Sequence, residues 1–483
     1  MPSESRPDAA EGARAVLVGV QLPGVSDAEL ASSLDELARL AKTLGLIPVA
    51  RLTQHRSTAG GPTLLGEGKL RELARLTGGT GVVPSGASRR QTGSKPPEIE
   101  TGEDASAVPE DGGVEDAGEA ASDLEDSGDA PEPSAPVTVV IVDQDLTPTQ
   151  LRNLESATDA EVHDRSSIIL AIFQRHARTR EAKLQVELAR LSDLAPRLRG
   201  SGAGQDRQRG GVGGKGAGES SLELDRRRVR DRISELKDEL AAVQLEGSTR
   251  RARRGGADTV ALVGYTNAGK SSLRRALTGS DILVADQLFA TLDTTVRVLQ
   301  PATRPRLLVS DTVGFIKKLP HDLVASFRST LEEARDAALL VHVVDASDPA
   351  WRSQLDVTRA VLAEIGATES PTLLVLNKID RVDDEGRAAL DVELPGALPM
   401  SALRKADVAA LHGRIVEFFE GGMAEDELFV AYADQRMVHA VHETCRVLSE
   451  KHDETGTRLR VRAPREVIDR LRASLDGSAR ESG

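Results

Sequence analysis

The densest chemistry in the chain is Gly264-Tyr265-Thr266-Asn267-Ala268-Gly269-Lys270-Ser271, which fits G-x-x-x-x-G-K-[ST] between an apolar strand pattern and a helix pattern. The glycines let backbone N–H groups turn inward and cradle phosphate oxygens, and the helix N-terminus adds its positive end. Lys270 can reach the β- and γ-oxygens, and the Ser271 hydroxyl can hold Mg²⁺. Asp311-Thr312-Val313-Gly314 ends a later strand. There the carboxylate can hold Mg²⁺ through water and the Gly314 N–H can meet the γ-phosphate. Asn377-Lys378-Ile379-Asp380 ends another strand, and Asp380 can accept from the ring N–H and the exocyclic amine of guanine. Adenine does not present that pair. Ser401-Ala402-Leu403 follows, suited to a backbone contact with the guanine oxygen. A single aspartate at a strand end is usually a turn residue. Four such segments in order specify a guanine-nucleotide site.

The elements that must carry these residues alternate strand and helix over 256–420: TVALVGY (259–265), RLLVSDTVG (306–314), ALLVHVVDAS (338–347), PTLLVLNKID (371–380) and a short last strand in ALPMSAL (397–403). Such alternation implies an α/β fold with a parallel sheet. Upstream, VLVGVQL (16–22), a helix capped by Ser26 and running through Leu44, IPVARL (47–52), a helix in LLGEGKLRELARL (64–76), VTVVIVD (137–143) and a helix at 149–157 repeat the pattern. The expected layout is therefore multidomain: a flexible tail (1–13), an N-terminal α/β domain (14–165), a helical hairpin (166–255), the nucleotide domain (256–420) and a small C-terminal α/β module (421–483). In the hairpin, one long helix should run from Ser166 to about Leu194, break near Pro196, and return over 222–243. The tail module reads as a helix over about 434–451, the strand TRLRVRA (457–463) and a final helix from Pro464.

The chain has 483 residues, enough to bury several cores without staples, and its aromatic content is only 2%, so Leu, Val, Ile and Ala must fill them. Its one cysteine, Cys445, excludes a disulfide framework and a multi-cysteine zinc site. No apolar run approaches the roughly 18 residues that span a bilayer, and MPSESRPDAAEGAR has no secretory pattern, so a soluble cytoplasmic protein is expected. The net charge of −14 is misleading. Residues 96–136 hold 14 acids and no Lys or Arg, which leaves acids and bases equal in number elsewhere. That Pro, Gly and Ser-rich stretch cannot bury enough apolar area to offset chain ordering, so about 91–136 reads as a disordered insert within the N-terminal domain. Conversely, Arg175 to Arg232 carries 15 bases against 8 acids, with the glycine-rich RGSGAGQDRQRGGVGGKGAGES (199–220) at its tip. A solvated helical face has the same composition as an electrostatic footprint for phosphate backbones.

Beyond the nucleotide motifs, LTPTQLRNLE (146–155), HDRSSIILAIFQRHARTREAKLQVELARL (163–191), GGVGGKGAGESSLELDRRRVR (210–230), FATLDTTVR (289–297) and DTVGFIKKLPHDLVASFRSTLEE (311–333) closely resemble the HflX family of P-loop GTPases. The resemblance implies a ribosome-associated GTPase, monomeric, that hydrolyses GTP with Mg²⁺ and binds the large ribosomal subunit and its rRNA through the basic hairpin loop. Splitting of stalled or stressed ribosomes is the implied role. A GTPase aiding ribosome assembly and a GTP-gated binding protein with negligible turnover are the rivals. Within Phe289-Ala290-Thr291-Leu292-Asp293, Thr291 matches the family's switch threonine that ligates Mg²⁺ beside GTP, with Thr294 and Thr295 as alternatives. The implied metal set is thus Ser271, Thr291 and Asp311, and the groups acting on the transferring phosphate are Lys270, Thr291 and Gly314.

Thr294, Val296, Lys215 and Ala217 depart from the family pattern, and Phe315 from that of many other GTPases. Thr294 stands where proline is usual and loses its fixed φ. Lys215 replaces a typical arginine in the hairpin loop, and Ala217 a proline, which removes a bidentate donor. Phe315 follows Gly314 where many GTPases carry a water-orienting glutamine, and phenylalanine has no hydrogen bond to give. Slow intrinsic hydrolysis follows from that. Asn267 matches relatives that use K⁺ as an added charge. Gly66-Glu67-Gly68-Lys69 reads as a turn and helix start, and the resemblance leaves a second nucleotide contact open there.

Overall fold

This computed structural model describes residues 12–83, 136–199, 221–253, 258–279, 288–289, 295–318 and 333–481. The acidic insert up to 135, the hairpin tip from 200 to 220, and Ala290, Thr291, Leu292, Asp293 and Thr294 lie outside the described residues.

A parallel strand covered on both faces must be apolar along its whole length. β1 (Arg14–Gln21) and β3 (Val139–Val142) are of this kind, and they pair directly across the insert, Ala15 opposite Val139. β2 (Ile47–His55) and β4 (Glu161–Asp164) flank them in the order β2-β1-β3-β4. On one face lies α1 (Asp27–Thr43), started by a reciprocal Ser26–Glu29 capping box, with Leu30, Leu34, Leu37 and Leu40 turned inward. On the other, α2 (Glu67–Thr77) and α3 (Pro148–Thr158) bring Leu70, Leu73 and Leu154 against Val16, Val18, Val140 and Val142.

The long helix expected from Ser166 is two helices. α4 (Arg165–His176), capped by Asp164, packs Ile168, Ile169, Ile172 and Phe173 into the α1 side of the first sheet, and the backbone turns extended at Ala177. α5 (Arg180–Arg199) then starts the hairpin. One straight helix could not face both the sheet and a hairpin partner, so the chain breaks where the apolar stripe changes target. Pro196 lies inside α5 and does not break it; it costs one backbone bond a turn from the helix end. α6 (Ser221–Arg253) returns antiparallel, with Leu184 and Leu188 against Leu236 and Leu240, Arg232 paired to Glu187 at 2.9 Å, and Arg226 donating to the Leu198 carbonyl at 3.0 Å.

The second sheet contains β5 (Thr259–Gly264), β6 (Thr295–Val298), β7 (Leu308–Asp311), β8 (Leu339–Asp345), β9 (Thr372–Asn377) and β10 (Leu398–Pro399). Its order is β10-β9-β8-β5-β7-β6, parallel except for β6 against β7. The expected last strand is only two residues long. α7 (Lys270–Thr278), α8 (Trp351–Glu364), α9 (Asp384–Glu393) and α10 (Lys405–Gly421) accompany it.

The remaining module is an antiparallel sheet, β11 (Ala424–Ala431), β13 (Gly456–Ala463) and β12 (Arg446–His452) in that spatial order, covered by α11 (Gln435–Thr444) and α12 (Arg465–Glu481). The helix expected to about 451 stops at Thr444. Val441, Cys445 and Leu448 keep helical spacing, yet Leu448 is 38% exposed because pairing with β13 has taken over.

Candidate functional site

Lys270, Ser271, Asp311, Gly314, Asn377, Asp380 and Ser401 each sit at, or beyond, the C-terminal end of a strand of the second sheet. In an open α/β sheet this is the edge where a crevice forms. β5 runs into the loop Gly264–Gly269, and α7 starts at Lys270. Gly269 has φ +96, and a Cβ there would stand 2.2 Å from the Asn377 amide nitrogen, so only glycine fits. Gly314 has no room either: its Cβ would meet Thr266 at 2.8 Å and Lys270 Nζ at 3.0 Å. That close approach brings the Gly314 backbone beside the lysine head. Asn267 also takes the left-handed region, at φ 61, which its short polar side chain tolerates.

Lys270 is buried and its ammonium donates to the Gly264 and Tyr265 carbonyls at 2.9 and 2.8 Å. Burial pulls its pKa down to about 8, against the opposing pull of Asp311. A lysine held this way keeps a cation ready inside an otherwise neutral loop. Thr266 N–H donates to the Phe315 carbonyl at 2.7 Å, and Phe315 N–H to the Gly264 carbonyl at 3.2 Å, so the phosphate loop and the segment after Gly314 are stitched together. Thr312 anchors the same strand end by donating its hydroxyl to the Leu262 carbonyl at 2.8 Å. Phe315 itself is 2% exposed and packs with Ala261, Val263 and Leu340 beneath the sheet edge. Its ring points into core and away from any water-positioning role. His342 lies on the same side of β8, and burial pushes its pKa down to about 4, so it stays a neutral core histidine.

At the metal end, the Ser271 hydroxyl donates to Asp311 at 3.0 Å, and Asp311 is fully buried. A hydroxyl and a carboxylate are hard oxygen donors, the set Mg²⁺ takes together with phosphate oxygens and water. The residues therefore fit that ion. Thr295, one of the alternatives to Thr291, lies directly opposite Asp311 in the β6–β7 pair.

At the base end, Asn377 ties two loops: its amide donates to the Ala268 carbonyl at 2.8 Å, and its carbonyl accepts from the Ala402 N–H at 3.0 Å. Lys378, at φ 61, turns the chain and pairs with Asp345 at 2.7 Å, and Ile379 is buried as the hinge of that turn. Asp380 emerges on the exposed side with its pKa lowered, first by a hydrogen bond from Ser401. Ser401 N–H is held by Asp407 at 2.8 Å, while Leu403 is 77% exposed and free to lie along a flat ligand.

Sequence reading missed how the N-terminal domain grips this site. Tyr265 in the phosphate loop donates its hydroxyl to Glu36 of α1 at 2.5 Å and accepts from the Lys317 N–H at 2.8 Å. Glu36 pairs with Arg165, which also meets Asp143 at 2.8 Å, and Asp143 receives Lys318 at 2.6 Å and Ser33 at 2.7 Å. Arg165 is 1% exposed; burial works against its charge, but Glu36 and Asp143 prevail and raise its pKa. Around this network, Phe289 stands edge-on to Phe173 with centroids 4.6 Å apart, at φ 58, unusual for an aromatic residue. Leu288, Val313 and Ile316 join the same core as α1 and α4. Arg274 was also missed. It lies beside Asp311, and the signal was its place in the buried stripe Lys270, Leu273, Arg274, Leu277.

Family models agree with this arrangement along the chain. One described as GTP-binding GTPase N-terminal matches residues 31–83 and 129–174, one described as GTP-binding GTPase Middle Region matches 176–254, and one described as 50S ribosome-binding GTPase matches 259–378. A protein of Gluconacetobacter diazotrophicus named GTPase HflX is 56% identical over 463 residues, covering 95% of this chain and 97% of that protein. The Escherichia coli protein of the same name is 43% identical over 337 residues, 69% of this chain and 79% of that one. The one from Caldanaerobacter subterraneus subsp. tengcongensis is 40% identical over 344 residues, 69% and 77% respectively.

Proposed function

The chain belongs to the HflX GTPase family, and from that premise we propose that it binds GTP with Mg²⁺ across the ends of β5, β7 and β9 and hydrolyses it to GDP, the bound state governing attachment to the large ribosomal subunit. The observation that carries the reading is the convergence of Lys270, the Ser271–Asp311 pair, the Asn377 tie and Asp380 along one edge of a single sheet. Water attacks the γ-phosphate in line, with little covalent work for the protein to do. Lys270 and the N–H groups of Gly264–Gly269 hold the β- and γ-oxygens, and the Gly314 N–H holds the γ-phosphate. Ser271 and Asp311, joined by Thr291, would hold Mg²⁺, which supplies positive charge to the same oxygens. Asp380 accepts from guanine while Ser401, Ala402 and Leu403 line the base. Asn267 is the residue on which use of K⁺ rests, and equal rates in K⁺ and Na⁺ buffers would remove it from the account.

Because Phe315 is packed in core, the water is oriented by another group, of this chain or of the ribosome, a contact of the kind worth about 10³–10⁵ in rate. Ribosome splitting in the cytoplasm is the finer part of the proposal. It is supported by the basic hairpin, whose loop would meet ribosomal RNA, and by the family. The test is phosphate release with and without large subunits, run beside sucrose-gradient profiles of purified ribosomes in a non-hydrolysable GTP analogue. Acceleration and loss of the joined-subunit peak are expected. The buried Phe315 also favours a second reading, a GTP-gated binder without turnover, and absence of any acceleration would select it.

A further inference from the structure

The stripe of α7 that faces the sheet is Lys270, Leu273, Arg274 and Leu277. Three of these have evident reasons to be buried; Arg274 does not. It is 6% exposed, and its Nε stands 3.8 Å from Asp311 Oδ2, the same oxygen that accepts the Ser271 hydroxyl. At that separation the two are an ion pair without a hydrogen bond, and Arg274 Nε has no hydrogen-bond partner. A buried guanidinium so incompletely matched is a poor stabiliser, and a leucine in the stripe would serve the core better. Its charge, however, is permanent, because guanidinium does not deprotonate in proteins. It therefore places a fixed positive charge against the carboxylate on which a metal would depend, in a site already holding the Lys270 ammonium.

We propose that Arg274 is a positioning residue that acts through Asp311 to weaken the hold on Mg²⁺, and thereby sets a fast release of bound guanine nucleotide. This rests on the nucleotide site proposed above. A cation approaching Ser271 and Asp311 meets a carboxylate whose charge is partly spent on Arg274, and it is repelled directly by the guanidinium at low effective dielectric. Magnesium links the nucleotide phosphates to Asp311, so a weak metal hold shortens the lifetime of the complex. In the GDP state, where the γ-phosphate no longer adds its charge, the effect is largest.

The experiment follows release of a fluorescent GDP analogue from the full chain by stopped flow, across a series of free Mg²⁺ concentrations and in excess chelator. Wild type, Arg274→Leu, Arg274→Gln and Arg274→Lys are compared. The proposal expects the Mg²⁺ concentration that half-suppresses release to fall by about tenfold in the Leu and Gln variants, and to stay near wild type in the Lys variant. In chelator, where no metal remains, all four should release at similar rates; a purely structural role would accelerate release there too. The proposal is overturned by an unchanged or raised Mg²⁺ midpoint in whichever of the Leu and Gln variants folds. Matching acceleration in chelator overturns it as well, with the nucleotide site left intact. A wild-type chain that fails to bind the analogue at all overturns both.

Discussion

Lys270 shows how a single residue couples burial to function. In the free protein its pKa is held at about 8 by desolvation, below the ordinary lysine value. Bound phosphates favour the ammonium form and lift that pKa again. Binding therefore takes up a proton between pH 8 and the bound-state value, and affinity falls as pH rises through that window. Calorimetry in buffers of different ionisation enthalpy should find GDP affinity flat below pH 8 and declining by up to about tenfold per unit above it, with proton uptake. Lys270→Ala should bind weakly with no such slope. Asn377 makes a second prediction at this scale. Its amide is the tie between the Ala268 carbonyl and the Ala402 N–H. Asn377→Ala should weaken binding through both the phosphate and base loops, by about 1–3 kcal/mol, as measured by titration with GDP. These residues were legible in the sequence because nucleotide chemistry fixes their types and their order. Arg274 was not, nor was the reach of the Tyr265 hydroxyl to Glu36, since a residue's burial partner is set by the fold and not by its neighbours in the chain.

At the level of elements, α1 and α4 reach across to the phosphate loop and to the segment after Gly314. The Arg165–Glu36–Tyr265 and Arg165–Asp143–Lys318 links make this contact polar at its centre and apolar around it. Removing the shared cation should leave two carboxylates buried. Arg165→Met is expected to destabilise the N-terminal unit by about 3–5 kcal/mol, seen as an earlier urea transition, whereas Glu393→Gln in the exposed pair with Arg352 should leave the midpoint in place. An unshifted transition in Arg165→Met would mean that the network carries no net stability. None of Glu36, Asp143 or Arg165 was foreseen. Each lies at an ordinary helix or strand-end position, with no motif to mark it. The strands β1, β3, β5 and β8 were readable because full burial makes them continuously apolar. β4, β6 and β12 were not, since a short or edge strand carries too few residues for its alternation to stand out.

The whole molecule joins a nucleotide site at one sheet edge to a long basic arm. That arm is antiparallel, as Arg226 and Arg232 show by their partners on α5. Its charge predicts binding to the large subunit that weakens steeply with salt. Co-sedimentation with purified subunits should lose about one unit of log–log salt slope for each phosphate-contacting arginine replaced among Arg226, Arg227, Arg228 and Arg230. Deleting residues 200–220 should abolish nucleotide-dependent binding without altering GDP affinity. Unchanged sedimentation would remove the arm from the ribosomal contact. The mainly parallel, helix-interleaved character of the two larger sheets was visible from strand–helix alternation, but their strand orders and the helix break at Ala177 were not. The sequence through it stays helical in type, and only the change of packing partner, from sheet to hairpin, ends α4.

The central claim is that one guanine nucleotide is read by Asp380 while its phosphates rest on Lys270. It is tested most directly by titrating GDP, ADP and xanthosine diphosphate into wild type and Asp380→Asn. Guanine offers Asp380 two donors; xanthine replaces the exocyclic amine with a carbonyl that an asparagine amide can serve. The account predicts that wild type prefers GDP over ADP by about 10²–10⁴, two hydrogen bonds to a charged acceptor, and that Asp380→Asn shifts the preference to the xanthine nucleotide. Equal, weak binding of GDP and ADP by wild type, or an Asp380→Asn variant with its preference unmoved, would contradict it.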